Sequence, residues 1–178
     1  MRSNQGRDTT LELIAFLGAV SLFFSTIEYL IPKPVPFFRL ANLPIIVTIP
    51  FFKPKHTLLL VLLKVLGQGL VNGTLASYVF FFSVAGSFAS AFAMLAAHRL
   101  GGRWISLIGV SIFGALASNV VQVILSVYFI FGTSAWVIAP LFLILGCASG
   151  VAIGVFAQRF FVSSSWLGEV HREYSAAA

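Results

Sequence analysis

Long runs of apolar residues, separated by short polar, proline-rich or glycine-containing turns, dominate the pattern along the chain. Most runs have helical length, and five of them can cross the roughly 30 Å hydrocarbon core of a bilayer. The pattern predicts an all-α membrane protein whose residues 1–178 form one domain with six transmembrane helices. The predicted spans are residues 10–31, 40–52, 56–72, 75–97, 104–131 and 135–161.

The second apolar run differs from the others because it is short and contains Pro44 and Pro50. A proline-rich segment, residues 32–36, precedes it and ends the first helix. We expect a short, kinked or partly re-entrant helix here. Irregular backbone at membrane depth is tolerated only inside protein or beside a cavity, so this element is predicted to border an enclosed space.

The composition supports a membrane location, with 59% hydrophobic and only 9% charged residues. The net charge of +6 does not indicate nucleic acid binding, because the basic residues lie in short loops beside apolar runs, where they act as topology signals. Lys33 and Arg39 fall on one side of the predicted membrane. The other side, which is therefore predicted to be cytoplasmic and to hold both termini, has Arg2, Arg7, Lys53, Lys55, Arg99, Arg103, Arg159 and Arg172.

Lys64 lies at the middle of the third predicted span, about 12 Å of helix from either end. A lysine near the bilayer centre costs roughly 2.5 to 3.5 kcal/mol on insertion scales, and its side chain is too short to reach the interface. Gln68 and Asn72 follow at helical spacing, so the three polar side chains share one face. Such a stripe requires a partner or a ligand.

Further polar residues fall inside apolar runs, namely Glu28 in the first span and the i, i+3 neighbours Asn119 and Gln122 in the fifth. Two interpretations stay open. Together with Lys64 and Gln68, these residues could line a substrate pocket between the first, third and fifth spans. Alternatively, Glu28 and Lys64 could form a structural ion pair while the amides hold helices together.

Arg39 and Asn42 follow the proline-rich segment at the outer side of the predicted bundle. They could recognise an anionic group at the mouth of a pocket, or Arg39 could anchor at the lipid headgroups.

Small residues at four-residue spacing predict close helix contacts. Gly146, Gly150 and Gly154 form such a ladder in the sixth span, either for packing within the chain or for joining copies of it. Ala15 and Ala19 share one face of the first span, away from the face of Glu28. The alanine face could therefore meet a partner while the opposite face points inward.

Catalytic and cofactor motifs are missing from the sequence. It has no phosphate-binding loop of the GxxxxGK[ST] type, and Asp8 is its sole aspartate. Cys147 is the single cysteine, so disulfides and thiolate metal sites are also not predicted. We expect a protein that is not an enzyme and needs no metal or cofactor.

Three segments resemble one known family when taken in order and spacing: RLANLPIIVTIPFF, LLLVLLKVLGQGLVNGTLASYVFFFSVAGSFASAFAM and GVSIFGALASNVVQ. The family is heptaprenyl diphosphate synthase component I, also called the Gx transporter family, and the likeness covers about residues 11–161. It is similar to the substrate-binding S components of energy-coupling factor (ECF) importers of bacteria. The resemblance implies a six-helix fold in the bacterial inner membrane, an outward-facing ligand pocket, and partners comprising a transmembrane subunit and ATPases.

By position, the resemblance carries ligand-binding roles to Asn42, Lys64, Asn119 and Gln122. It also makes Ala15 and Ala19 similar to the AxxxA contact that S components present to the energising subunit. Two departures, Ser118 where histidine is common and Val121 where glycine is usual, affect the expected ligand more than the fold.

The leading hypothesis is therefore an ECF substrate-binding subunit that captures a small vitamin-like or precursor molecule. Its predicted site comprises Glu28, Arg39, Asn42, Lys64, Gln68, Asn119 and Gln122. The alternative is a non-catalytic membrane subunit that assists heptaprenyl diphosphate synthesis or holds its lipidic product. A third hypothesis, a homo-oligomeric channel or scaffold, depends on the glycine ladder.

Overall fold

The computed structural model describes residues 2–30, 39–165 and 167–170, except for the side chains of residues 2–9 and 103. Helices make up 90% of it and no strand occurs within these described ranges, which confirms the all-α class. The α-helices are α1 (Arg2–Leu30), α2 (Leu43–Thr48), α3 (Pro54–Val71), α4 (Tyr78–Gly101), α5 (Leu107–Ser126) and α6 (Ala135–Ser163).

Four helical stretches are long and apolar enough to cross a membrane, and the last of them contains two helices. This stretch, Leu107–Ser163, has 57 residues and folds back at Gly132, where φ is 57°. A backbone with positive φ favours glycine because no Cβ clashes there. α5 and α6 therefore form a hairpin. α2 has only six residues, so the count of six spans stays a prediction.

α1 and α3 pack side by side and run in the same direction. Gly18 of α1 faces Leu60 and Leu63 of α3, and further along Leu22 lies against Gly67, so the residue numbers rise together. The chain must consequently return along the bundle between the end of α1 and the start of α3. α2 lies on this return path.

α2 is enclosed by the other helices. All six of its residues are buried, and it contacts α1, α3, α5 and α6. A 3-10 turn, Leu40–Asn42, leads into it, and Pro44 lies in its first turn, where a missing N–H breaks no helical hydrogen bond. The short helix expected from the prolines is therefore present. The preceding proline-rich segment lies outside the described residues.

The glycine ladder of α6 packs against α5. A Cβ added at Gly150 would lie 2.9 Å from the Cα of Ile112, and one added at Gly154 would lie 2.6 Å from the Cα of Ile108. Because these contacts are with backbone, side chains at the two positions would force the helices apart. The ladder is used within the chain, so the hypothesis that it joins copies of the protein is wrong.

Large apolar side chains cover the outside of the bundle. Phe23 on α1, Phe92 on α4 and Val162 on α6 are all exposed, as are many similar residues. An apolar surface this extensive is rare in soluble proteins and fits contact with lipid. Exposed Trp104 and Tyr128 lie near opposite ends of α5, where aromatic rings with a polar edge mark membrane–water interfaces.

Candidate functional site

Lys64 is buried at the middle of α3, with only 5% of its surface exposed. Its Nζ donates a hydrogen bond to Asn42 Oδ1 at 2.5 Å. Asn42 is placed there by the 3-10 turn that precedes α2. The lysine therefore obtains its hydrogen-bond partner from the short buried element and not from another residue of its own helix.

Arg39 joins the same buried element to α5 and α6. Its guanidinium donates to Asn119 Oδ1, and Asn119 Nδ2 donates to the carbonyl of Phe142 at 2.5 Å. Arg39 also interacts electrostatically with the carboxylate of Glu28. Arginine stays charged in proteins, so this partly buried side chain is a cation.

Glu28 supplies the negative charge of the cluster from the last turns of α1. Its carboxylate accepts backbone hydrogen bonds at Leu40 and Ala41 and interacts electrostatically with Lys64 and Arg39. Its Oε1 is buried and has no hydrogen-bond partner among the described residues. With these groups ionised, two cations and one carboxylate leave a net charge of +1. Glu28 and Lys64 therefore interact electrostatically within a larger, unbalanced cluster, in which the direct partner of Lys64 is Asn42.

Gln68 and Gln122, two predicted site residues, lie outside this cluster. Gln122 Nε2 approaches Ser118 Oγ at 3.4 Å, which is long for a hydrogen bond, and packs against Gly86 of α4. Gln68 is half-buried and makes no side-chain hydrogen bond with any described residue. The contacts of Gln122 match the interpretation in which amides hold helices together.

α1 has two distinct faces, as its sequence predicts. Ala15 and Ala19 are exposed, whereas Ser21 and Ser25 are buried on the side toward the bundle. Within the part of the chain that the structure describes, the hydroxyl oxygens of both serines lack hydrogen-bond partners. The separation of the faces is confirmed, and the use of the alanine face by a partner stays a prediction.

A crevice of about 240 Å³, its open mouth included, begins at Arg39 and Asn42 and lies among α2, α4, α5 and α6. It does not lie between the first, third and fifth spans as the sequence analysis predicted. Its enclosed part has room for about one water molecule. Its walls comprise Arg39, Asn42, Ile46, Ser90, Met94, Ser111, Ala115, Ser149, Gly150 and Ile153.

The three serines of the crevice were missed by the sequence analysis. Ser90, Ser111 and Ser149 come from α4, α5 and α6, and all three are buried. Ser111 could have been found, since it lies two turns before Asn119 with Ala115 between them on the same broad helix face. Ser90 and Ser149 had no comparable signal, because serine is common in helices that pack closely.

The profile of the family heptaprenyl diphosphate synthase component I matches residues 17–160. The chain belongs to this family. No curated protein and no solved structure matches it significantly. The family description denotes one component of a synthase. Among the described residues, no group of histidine, cysteine, aspartate or glutamate is suited to hold a metal ion.

The polar groups of this site are suited to recognition by charge and hydrogen bonding. The cluster holds donors and buried cations, which bind an anion or a carbonyl strongly in a low-dielectric environment. The crevice brings Arg39 and Asn42 together, and each is bonded to a second predicted site residue, Asn119 and Lys64 respectively.

Proposed function

We propose that the protein is the substrate-binding membrane subunit of an ECF-type importer, which captures a small molecule from outside the cell. One observation carries this proposal: buried Lys64 and partly buried Arg39 meet two amide side chains beside a crevice in an otherwise apolar bundle. Ionisable residues within membrane-spanning helices are functional candidates by default, because placing them there is costly.

The proposed topology has six crossings of a bacterial inner membrane, with both termini in the cytoplasm. Support comes from the parallel packing of α1 and α3, which requires the chain to return through the bundle between them. Residues 39–53 would make this crossing with α2 at its centre. The mouth of the crevice at Arg39 and Asn42 would then face outward, near the ends of α1 and α3.

Substrate binding requires the crevice to open. Pockets for small molecules usually enclose roughly 300 to 1,000 Å³, far more than the space for one water found here. The arrangement therefore corresponds to a closed conformation in which Arg39 bonds to Asn119. A substrate would replace part of this bonding, and Lys64 would hold Asn42 in place beneath it.

The proposed activity is binding without catalysis. Asp8 is the sole aspartate of the sequence, so acidic clusters that hold metal for diphosphate chemistry cannot be assembled from this chain. Energy for transport would come from the partner ATPases, and no cofactor is required by the proposal.

A ligand retained through purification should be visible by native mass spectrometry of the detergent-solubilised protein. We expect an additional small mass on the wild type and at least about a tenfold loss of its occupancy in Lys64→Ala, because Asn42 loses its anchor and the site loses a charge. Lys55→Ala is the matched control, since Lys55 is an exposed lysine of the same helix. Equal occupancy in Lys64→Ala and wild type would remove Lys64 from the site.

The exposed Ala15 and Ala19 face is proposed to dock the transmembrane subunit of the importer. Leucine at both positions should prevent close helix approach and abolish co-purification with co-expressed ECF transmembrane and ATPase subunits. Ala96→Leu, at an exposed alanine of α4, is the control that adds similar bulk elsewhere. Normal assembly of the Ala15→Leu, Ala19→Leu double variant would exclude this face as the contact.

The second candidate is a non-catalytic subunit that assists heptaprenyl diphosphate synthesis, and the family description favours it. Such a subunit should present a long apolar groove that opens to lipid. The crevice described above is short, and half of its lining residues are polar. If the molecule that co-purifies is a prenyl diphosphate and not a water-soluble small molecule, this second candidate is supported.

A further inference from the structure

We infer that the ligand of this site is an elongated small anion, with its charged group at Arg39 and Asn42 and a hydroxyl or carbonyl group at the serines deeper in the crevice. The inference rests on the proposed binding function and adds the chemical class and the orientation of the ligand.

The mouth of the crevice presents mainly hydrogen-bond donors, because each amide oxygen there already accepts one hydrogen bond. Asn42 Oδ1 accepts from Lys64, and Asn119 Oδ1 accepts from Arg39. Asn119 Nδ2 is also used, by the carbonyl of Phe142. What remains for a ligand is the Nδ2 group of Asn42 and the unused N–H groups of the guanidinium, all of which are donors. The mouth therefore favours a ligand group that accepts hydrogen bonds.

The charge of the cluster favours an anionic acceptor over a neutral one. Glu28 compensates only one of the two cations, so a net charge of +1 stays in a poorly solvated environment. The carboxylate of Glu28 is itself held by the backbone at Leu40 and Ala41. A singly negative ligand group would balance the cluster, and charge-assisted bonds to Arg39 would be strong.

The serines form a second polar point deeper in the bundle. Ser111 lies eight residues from Asn119 along α5, and Ser149 lies seven residues from Phe142 along α6, which is about 10 to 12 Å in each case. The two helices therefore give the same separation between the mouth and the serines. A ligand that reaches both must be elongated.

Two of these serines have unsatisfied hydroxyls. Ser90 and Ser111 are 3% and 4% exposed, they line the crevice, and neither forms a side-chain hydrogen bond with a described residue. Ser149 donates to the Gly146 carbonyl at 3.0 Å, which leaves its oxygen free to accept. Buried hydroxyls normally bond to protein or to water, so a ligand group that donates or accepts would take the place of water at these serines when the crevice opens.

Apolar side chains occupy the walls between the two polar points. Ile46, Met94 and Ile153 line the crevice together with its polar residues. They favour a hydrocarbon body, and the flexible Met94 can adapt when the crevice opens.

Isothermal titration calorimetry of the full chain in nanodiscs, with empty nanodiscs as the blank, tests this inference. The probes are octanoate, octyl phosphate, ω-hydroxyoctanoate and neutral octanamide. We expect the anions to bind at least about tenfold more tightly than octanamide, and the terminal hydroxyl to improve octanoate binding by about tenfold. Comparison of octanoate with octyl phosphate identifies the preferred anion.

Two variants separate the polar points. Arg39→Gln should lower the affinity for all anions by about tenfold or more and should lower the affinity for octanamide by a smaller factor, because a charge-assisted bond is lost only with the anions. In the double variant Ser90→Ala, Ser111→Ala, the affinity ratio of ω-hydroxyoctanoate to octanoate should fall from about ten to about one or two. Arg99→Gln, at an exposed arginine of α4, is the control and should match wild type in every titration.

Equal or tighter binding of octanamide would overturn the inference while leaving the proposed function intact. If no probe binds, the mass and charge of the co-purified molecule decide: an anion supports the inference, and a neutral molecule overturns it. Absence of both probe binding and any co-purified molecule would overturn the inference and the proposed binding function together.

Discussion

Gly154→Ala is expected to destabilise the protein by about 1 to 3 kcal/mol, because the new methyl group would overpack the contact between α5 and α6. The added Cβ would lie 2.6 Å from the Cα of Ile108 and 3.1 Å from the Cβ of Ser111. Backbone at this position cannot move without displacing α5. The loss should appear as a lower unfolding temperature of the detergent-solubilised protein.

The direction of the stability change in Gly154→Ala tests the packing of the glycine ladder. Glycine to alanine in a helix interior normally stabilises by roughly 0.5 to 1 kcal/mol, since alanine has the better helix propensity. Gly18→Ala is the matched control, because a Cβ at this interior position of α1 would make only ordinary contacts, at 3.8 Å from Leu63. An unfolding temperature that rises in both variants would contradict the packing of the ladder described above.

Glu28→Gln is expected to destabilise the protein more than Lys64→Met does. Removal of the carboxylate leaves Arg39 and Lys64 as two uncompensated cations, whereas removal of the lysine leaves one charge of each sign. We expect losses of about 2 kcal/mol for Glu28→Gln, since breaking a buried pair is costly, and about 1 kcal/mol for Lys64→Met. Chemical denaturation in detergent measures both.

The double variant Glu28→Gln, Lys64→Met completes a thermodynamic cycle. Its loss should be smaller than the sum of the single losses by about 1 kcal/mol, because the second substitution removes the repulsion that the first one exposes. Strict additivity of the two substitutions would show that Glu28 and Lys64 act independently, contrary to the cluster described here. Lys55→Met serves as the exposed lysine control.

Part of the fold could be predicted from the sequence, because helical periodicity and the length of an apolar run are local properties of the chain. They predicted an all-α membrane protein, a short second helix and the two faces of α1. Length and periodicity do not tell which helices become neighbours. For that reason the glycine ladder could not be assigned from sequence to one of its two uses, and its contact with Ile108 and Ile112 emerged only in three dimensions.

The site was predicted in part for the same reason. Lys64 and Asn119 were recognisable as costly polar residues within apolar helices. Gln68 and Gln122 are also polar residues within apolar helices, yet they lie outside the cluster. The sequence shows which residues share a helix face, but it does not show which helix packs against that face. The partner of Lys64 is Asn42, 22 residues away, and only the path of α2 through the bundle brings them together.

The hydrogen bond from Arg39 to Asn119 joins residues 80 positions apart in the chain. During synthesis, therefore, the arginine enters the membrane region well before its acceptor on α5 or the carbonyl on α6 has left the ribosome. Until those helices arrive, its guanidinium must stay at the headgroups or bind another group, because exposure to hydrocarbon is costly. Completion of the cluster is thus a late event of folding, and a chain released before α6 should lack the site even if its first helices are inserted correctly.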